Sequence, residues 1–490
     1  MSDACARDRS FLFAALVVGG MTAWRAAILA VNSPLLSFDE AQYWTWAQTL
    51  QLGYYSKPPM VAWAIAATTA LCGEAEGCVK LGSLLAQSAT ACLLYLLGDA
   101  LYGRRAGAWA AVLWVVMPAV SLSSVVITTD PFLLVFWAAG LLALVRAVEA
   151  GDRPNRWWAL LGVCFGLGLL AKYAMMLFAL SLALWLMIAP ERRRLARAPG
   201  LWQAGVVGLL IYAPNALWNA ANGFVSYKHT KDNANLAGPL FHPDKLLEFV
   251  VGQFAVVGPL VMAALLAALV PALRRGADPR GRMLAAFTLP LLLIMTAESL
   301  LSRANANWTA PAYIAGTVLV AAGLADRGGW VLRLSLALHV LAAGVLYNMD
   351  AARRLLGLPD LARYDIEKRL KGWDEVGRRV SAALADHPGA RLLGDERKVL
   401  ATLIYYVRPH PFDAVKWNPE GIIHDHFDQT TRLEPGAGEY IYVSQADDVF
   451  LRSRFERVDK LAEVVIPIHT DYRRAVTLWR LGGFKGYFER

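Results

Sequence analysis

Charge is scarce in this chain. Only 18% of its 490 residues are Asp, Glu, Lys or Arg, against 57% hydrophobic. That balance excludes an ordinary soluble globular protein and points to the polytopic membrane class. Cysteine is also sparse: five residues with no metal-ligand spacing, which excludes a zinc-ribbon or other cysteine-built metal fold. Cys72 and Cys78 flank the short polar loop GEAEG. They would pair as a disulfide if that loop faces an oxidising compartment, and otherwise stay as small apolar side chains. No internal repeat or low-complexity segment occurs. No small-residue cleavage site follows the apolar run after Arg7 and Arg9, so that run is expected to remain as a first span. The net charge of +9 does not indicate nucleic acid, because the basic residues sit in short loops between apolar runs.

Runs of roughly 17–25 apolar residues mark candidate spans. They fall at about 11–31, 80–101, 106–127, 131–149, 157–171, 173–189, 201–219, 249–272, 283–300, 309–325 and 331–348, with a shorter run at 60–72. Arginine-rich loops occur at 103–105, 146–156, 192–197, 274–282 and 327–333. They share one side of the membrane only if 60–72 does not cross, which makes it an interfacial or re-entrant helix. The expected architecture is mainly α and polytopic, with about eleven transmembrane helices and a cytoplasmic N-terminus. The opposite side then receives 32–79, 128–130, Lys172, 220–248, 302–308 and everything after 348. This gives a membrane domain over 1–348, including the loop 32–79, and a soluble α/β domain over 349–490. In that second part IEKRLKGWDEVGRRV reads as helix, and 401–407, 440–444, 462–467 and 475–480 read as strands.

The stretch SFDEAQYWTWAQTLQLGYYSKPP, Ser37 to Pro59, concentrates the chemistry. It opens on Asp39 and Glu40, runs through Tyr43, Trp44, Trp46, Tyr54 and Tyr55, and closes on Lys57 and a double proline. Acid, aromatic wall and cation at a bilayer mouth suit a site that handles a sugar on a phosphorylated lipid. Ionisable groups beside spans default to function. Here they include Asp130, Lys172, Glu298 and Arg303, all expected at the same face. Asp39 and Asp130 could share a site, and Lys57 and Lys172 could neutralise a phosphate. Each has a plainer reading beside this one. Asp39 and Asp130 suit helix N-caps, Lys172 can snorkel to headgroups, and Glu298 can pair with Arg303. The aromatics can form an interfacial belt, and Arg25 and His339 read as packing partners within spans.

An Asp-Glu pair after the first span, followed by an aromatic segment ending in Lys-Pro-Pro, resembles the protein O-mannosyltransferase-like superfamily. These are polyprenyl-phosphate-sugar-dependent glycosyltransferases of the GT-C fold. TTDPFLLVFWAAGLLAL at 128–144, GLGLLAKYAMM at 166–176, ANANWTAPAY at 304–313 and HDHFDQTT at 424–431 agree with it. The resemblance is greatest to the branch holding the lipid A aminoarabinose transferase and related galacturonosyl transferases. It implies an inverting transferase at the periplasmic face of the bacterial inner membrane. The donor would be a polyprenyl-phosphate sugar and the acceptor a lipid or glycan. Asp39 matches the superfamily's general base, with Glu40 and Asp130 as catalytic neighbours. Lys57, Lys172 and Arg303 fall where the donor phosphate would bind. Tyr54, Tyr55, Tyr173, Asn305, Asn307 and Trp308 are the expected substrate contacts. That branch carries a potential metal-ligating Glu before Lys-Pro-Pro; here the position is Ser56, and a divalent metal stays open. The rival classes are a flippase of lipid-linked sugars and a membrane-anchored binding protein. The sugar, the acceptor and the oligomeric state are not written in the sequence.

Overall fold

The computed structural model describes residues 2–233, 240–274, 276–325, 329–444 and 450–487, with side chains from residue 9 onward. Residues 234–239 of the expected loop 220–248, Arg327 and the Arg7 side chain lie outside the described residues. Two compact units divide the chain. One comprises Met1–Asn32, Lys57–Ala64 and Lys80–Tyr347; the other comprises Ser33–Ser56, Ile65–Val79 and Asn348–Arg490.

Among the described residues, six helices are long and apolar enough to cross a bilayer: Arg9–Val31, Glu76–Tyr102, Asp130–Ala150, Pro199–Ala221, Pro279–Leu301 and Gly329–Tyr347. The expected runs 157–171, 173–189 and 309–325 are shorter apolar helices. Two further expected spans are not single helices. The run 106–127 breaks into Arg104–Val116 and Pro118–Ser123, with Met117 at ψ 136° between them. Pro118 has no N–H to continue the ladder and pushes the residue before it out of the helical region. The run 249–272 bends by 104° between Pro243–Val257 and Pro259–Ala272. Gly258 takes φ 87° at the bend, a value open mainly to glycine. Met60–Cys72 has 13 residues, about 20 Å of helix, short of the roughly 30 Å hydrocarbon core. Small residues let helices in the first unit touch backbone to backbone. A Cβ on Gly162 would lie 2.5 Å from the Ala204 carbonyl, and one on Gly166 would lie 2.8 Å from the Gly208 carbonyl.

The second unit is built on a five-stranded sheet: β1 Arg391–Gly394, β2 Val415–Lys416, β3 Gly436–Ser444, β4 Phe455–His469 and β5 Tyr472–Phe484. Its order is β2-β1-β3-β5-β4. β1 runs parallel to β2 and β3, and β5 runs antiparallel to β3 and β4. The core under it includes Leu393, Trp417, Tyr442, Leu481 and Phe484. The expected strands at 440–444, 462–467 and 475–480 lie within β3, β4 and β5. The expected strand at 401–407 is wrong: Arg397–Tyr406 is a helix, buried continuously from Val399 to Tyr406. A run that is apolar on every side carries no period to separate helix from strand. The expected helix from Ile366 begins only at Trp373, after Gly372 at φ 85°.

Candidate active site

In the second unit, helix Phe38–Ala47 is capped by Ser37 in a capping box. The Glu40 amide donates to Ser37 Oγ (3.4 Å), and the Ser37 amide donates to Glu40 Oε2 (2.8 Å). Glu40 is therefore spent on starting the helix, buried at 1% exposure. The cap is Ser37, so Asp39 is left for other work. Its side chain is 47% exposed, and Oδ1 accepts from Arg397 Nη1 at 2.9 Å. The same Arg397 nitrogen donates to Gln42 Oε1 at 2.6 Å, and the guanidinium lies 4.8 Å above the Phe38 ring. Asp39 Oδ2 has no hydrogen-bond partner among the described residues. Sequence reasoning missed Arg397, which lies 358 residues from Asp39 and just ahead of the expected strand at 401–407.

The aromatics of this stretch face inward. Tyr54 stacks on Trp46 with centroids 4.7 Å apart, and its hydroxyl donates to the Trp46 carbonyl at 3.0 Å. Burial pushes the Tyr54 phenol pKa up, opposed in part by a hydrogen bond from the Gln51 amide. Tyr55 is buried with its hydroxyl 3.5 Å from the Ile423 carbonyl. The HDHFDQTT segment is structural by geometry. Asp425 caps helix His426–Thr430, and Asp425 and Asp428 both pair with the buried Lys416. His426 meets Trp46 edge-on at 5.6 Å, and burial lowers its pKa to about 4 against the pull of Asp425. Cys72 and Cys78 are joined as a disulfide. The Tyr405 hydroxyl donates to the Glu74 carbonyl within the loop that disulfide closes, at 2.6 Å.

The first unit holds the other charged cluster. Asp130 opens helix Asp130–Ala150 behind its N-cap, Thr129. Its Oδ1 lies 2.5 Å from Lys172 Nζ, and its Oδ2 accepts from Asn307 Nδ2 at 2.7 Å. Lys172 reaches it from the extended link between helix Arg156–Ala171 and the turn Tyr173–Met175. Neither plain reading holds here: Asp130 is not the cap, and the Lys172 ammonium is paired, not snorkelling. Tyr173 Oη donates to Asn215 Oδ1 and accepts from Asn219 Nδ2, each at 3.2 Å. Asp130, Asn305 and Asn307 line a cavity of about 730 Å³ whose remaining wall is mostly apolar. Lys57 is half-buried ahead of Pro58-Pro59, Trp308 is half-buried in the turn Ala306–Thr309, and Arg303 is exposed. Glu298 and Arg303 form no ion pair among the described residues. Among the described residues no three His, Cys, Asp or Glu side chains are grouped to hold a metal.

Residues 56–218 match the family model described as dolichyl-phosphate-mannose-protein mannosyltransferase. The lipid A galacturonosyltransferase RgtD of Rhizobium johnstonii is 33% identical over 420 residues, covering 85% of this chain and 87% of that protein. An undecaprenyl phosphate-alpha-4-amino-4-deoxy-L-arabinose arabinosyl transferase of Pseudomonas paraeruginosa is 32% identical over 179 residues, 36% of this chain and 32% of that one. Among solved structures, ArnT from Cupriavidus metallidurans bound to undecaprenyl phosphate shares the fold. Its TM-score is 0.67 at 16% identity, covering 95% of this chain and 97% of that one. The named relatives are transferases, and none is a flippase. With several membrane-capable helices, that shared fold and a relative alike over most of both lengths, the chain belongs to the protein-mannosyltransferase-like family of GT-C glycosyltransferases, multi-pass membrane enzymes that use a polyprenyl-phosphate-linked sugar.

Proposed function

We propose that the enzyme works in the bacterial inner membrane with its active site on the periplasmic side. It moves galacturonic acid from a polyprenyl phosphate to a lipid A-type acceptor, with inversion at the anomeric carbon. Asp39 is the general base. The observation that carries this reading is its geometry: a half-exposed carboxylate with one oxygen held by Arg397 and the other open. The acceptor hydroxyl gives its proton to Oδ2 as its oxygen attacks the anomeric carbon. The bond from that carbon to the phosphate oxygen breaks, and the polyprenyl phosphate leaves with the electron pair. Lys57, Lys172 and Arg303 meet the developing charge. Asp130 and Asn307 hold Lys172 in place until the phosphate competes for its ammonium. Asn305 and Trp308 contact the sugar, and the apolar cavity takes the lipid chain.

The uronate is supported by the galacturonosyl relative and by Ser56. A glutamate at that position would repel a sugar carboxylate; serine does not. The periplasmic side is supported by the Cys72–Cys78 disulfide, a bond that persists in oxidising compartments. It is also supported by the arginine-rich loops assigned to the opposite face. With about eleven spans, the membrane domain runs over 1–348 with the loop 32–79, and the soluble domain over 349–490.

The test is single-turnover transfer from radiolabelled polyprenyl-phosphate sugars into membrane lipid extract, wild type against Asp39→Asn. Label should reach the acceptor lipid only with wild type, and fastest from the galacturonosyl donor. Equal transfer by Asp39→Asn would remove the base from this assignment, and a faster aminoarabinosyl donor would remove the uronate.

A further inference from the structure

Arg25 sits inside the first span and is fully buried, at 0% exposure. No carboxylate pairs with it among the described residues. A bare guanidinium in a membrane span is costly and marks a specific task. Its contacts show where that task lies. Nε donates to Tyr347 Oη at 2.9 Å. Nη2 donates to the Val115 carbonyl at 2.6 Å and to Ser121 Oγ at 2.8 Å. The Tyr347 hydroxyl in turn donates to the Ser121 carbonyl at 2.7 Å.

Val115 and Ser121 lie on either side of the Met117–Pro118 break. A helix end leaves its last carbonyls unpaired, and Pro118 offers no N–H to them. At membrane depth such a break survives only where other groups satisfy the freed backbone. Arg25 and Tyr347 do this from two other helices, Ser2–Val31 and Gly329–Tyr347. The positive charge also suits the carbonyl end of helix Arg104–Val116. Every residue from Met117 to Ser123 lines the apolar cavity. The clamp therefore sets the position of one whole wall.

We propose that Arg25 is a positioning residue for the lipid carrier: by clamping the broken helix at Pro118 it fixes the wall along which the donor's polyprenyl chain lies. This rests on the reading that the cavity takes that chain. Arg25 touches neither sugar nor phosphate in this scheme, so its loss should tell on carrier length and leave the chemical step intact.

The test uses the full-length enzyme in nanodiscs and two donors that share the sugar phosphate, one with an undecaprenyl chain and one with a short neryl chain. Arg25→Met should raise KM for the undecaprenyl donor by about tenfold, the size expected for lost hydrogen bonds from a charged donor. Its kcat should hold within about twofold, and KM for the neryl donor should not move, because uniform binding alone is lost. Arg25→Lys should lie between, since an ammonium keeps the charge but not the planar fork. Tyr347→Phe should shift KM the same way by less; with Arg25→Lys it carries the test if Arg25→Met does not fold. Equal losses for both donors, or an unchanged undecaprenyl KM, would overturn the proposal. Wild type inactive with both donors would overturn the donor reading beneath it, and this proposal with it.

Discussion

Arg397→Gln separates the catalytic reading of Asp39 from a structural one. The pair it breaks is modest as a stabiliser. At 2.9 Å two unit charges attract by about 1.4 kcal/mol in water. With Asp39 47% and Arg397 29% exposed, ordering costs and solvent screening bring the net to about 1 kcal/mol or less. The melting temperature of the purified enzyme should therefore hardly change. The rate should. Arg397 fixes Oδ1 and so aims Oδ2, and an error of roughly 1 Å in the placement of a reacting group can cost about a hundredfold. A fall in kcat of about ten- to a hundredfold is expected, measured as single-turnover transfer at saturating donor. Asp39→Asn alone should cost roughly 10²–10⁴-fold. In that background Arg397→Gln should add little, because its effect passes through the carboxylate. If the two losses multiply, or if Arg397→Gln keeps the wild-type rate, Arg397 does not orient the base.

Lys172→Met leaves the Asp130 carboxylate, only 12% exposed, without its counter-charge and held by Asn307 alone, and should destabilise the enzyme by up to about 3 kcal/mol. Adding Asp130→Asn should recover most of the melting temperature but not the donor affinity; recovery of both would remove Lys172 from phosphate binding. Gly258→Ala places a methyl 1.9 Å from His339 Nε2 at φ 87° and should cost at least about 1–3 kcal/mol. An unchanged melting temperature would show that the 104° bend is not seated there. The two ring nitrogens of His469 lie against Asp360 (2.8 Å) and Asp365 (2.9 Å) and both donate in the charged form, with Lys371 on Asp365 at 2.7 Å. Burial works against its charged form, but the two carboxylates outweigh burial and raise its pKa above 6.5. Asp360 is lowered chiefly by its bond to His469, and Asp365 is lowered by Lys371 and His469 against burial. The sign follows from linkage. The His469 contribution is full below pH 6.5 and fades as pH rises through its folded value. The aspartate contribution is present above pH 3.8 and is lost on acidification. Thermal unfolding of His469→Gln should accordingly lose stability relative to wild type in mildly acidic buffer and converge with it at alkaline pH; a pH-independent gap would refute this.

Some of this was decided by the residues alone. Scarce charge and long apolar runs place the chain in a membrane wherever each helix ends, because transfer free energy adds along a segment. Ser37, Asp39 and Glu40 specify a helix start from three neighbours, so the carboxylate pair could be found from local order. Its division of labour could not be read the same way: a capping box takes Glu40 and leaves Asp39, a matter of side-chain reach. Arg397, the Asp130–Lys172–Asn307 cluster and the Arg25 clamp join residues with no sequence period between them. The helix over 401–406 misled for a related reason. Its burial on all faces erased the pattern that a solvent-facing side would have left. Local signals set which elements can form; which charges meet depends on long-range packing, and only the tertiary structure decides it.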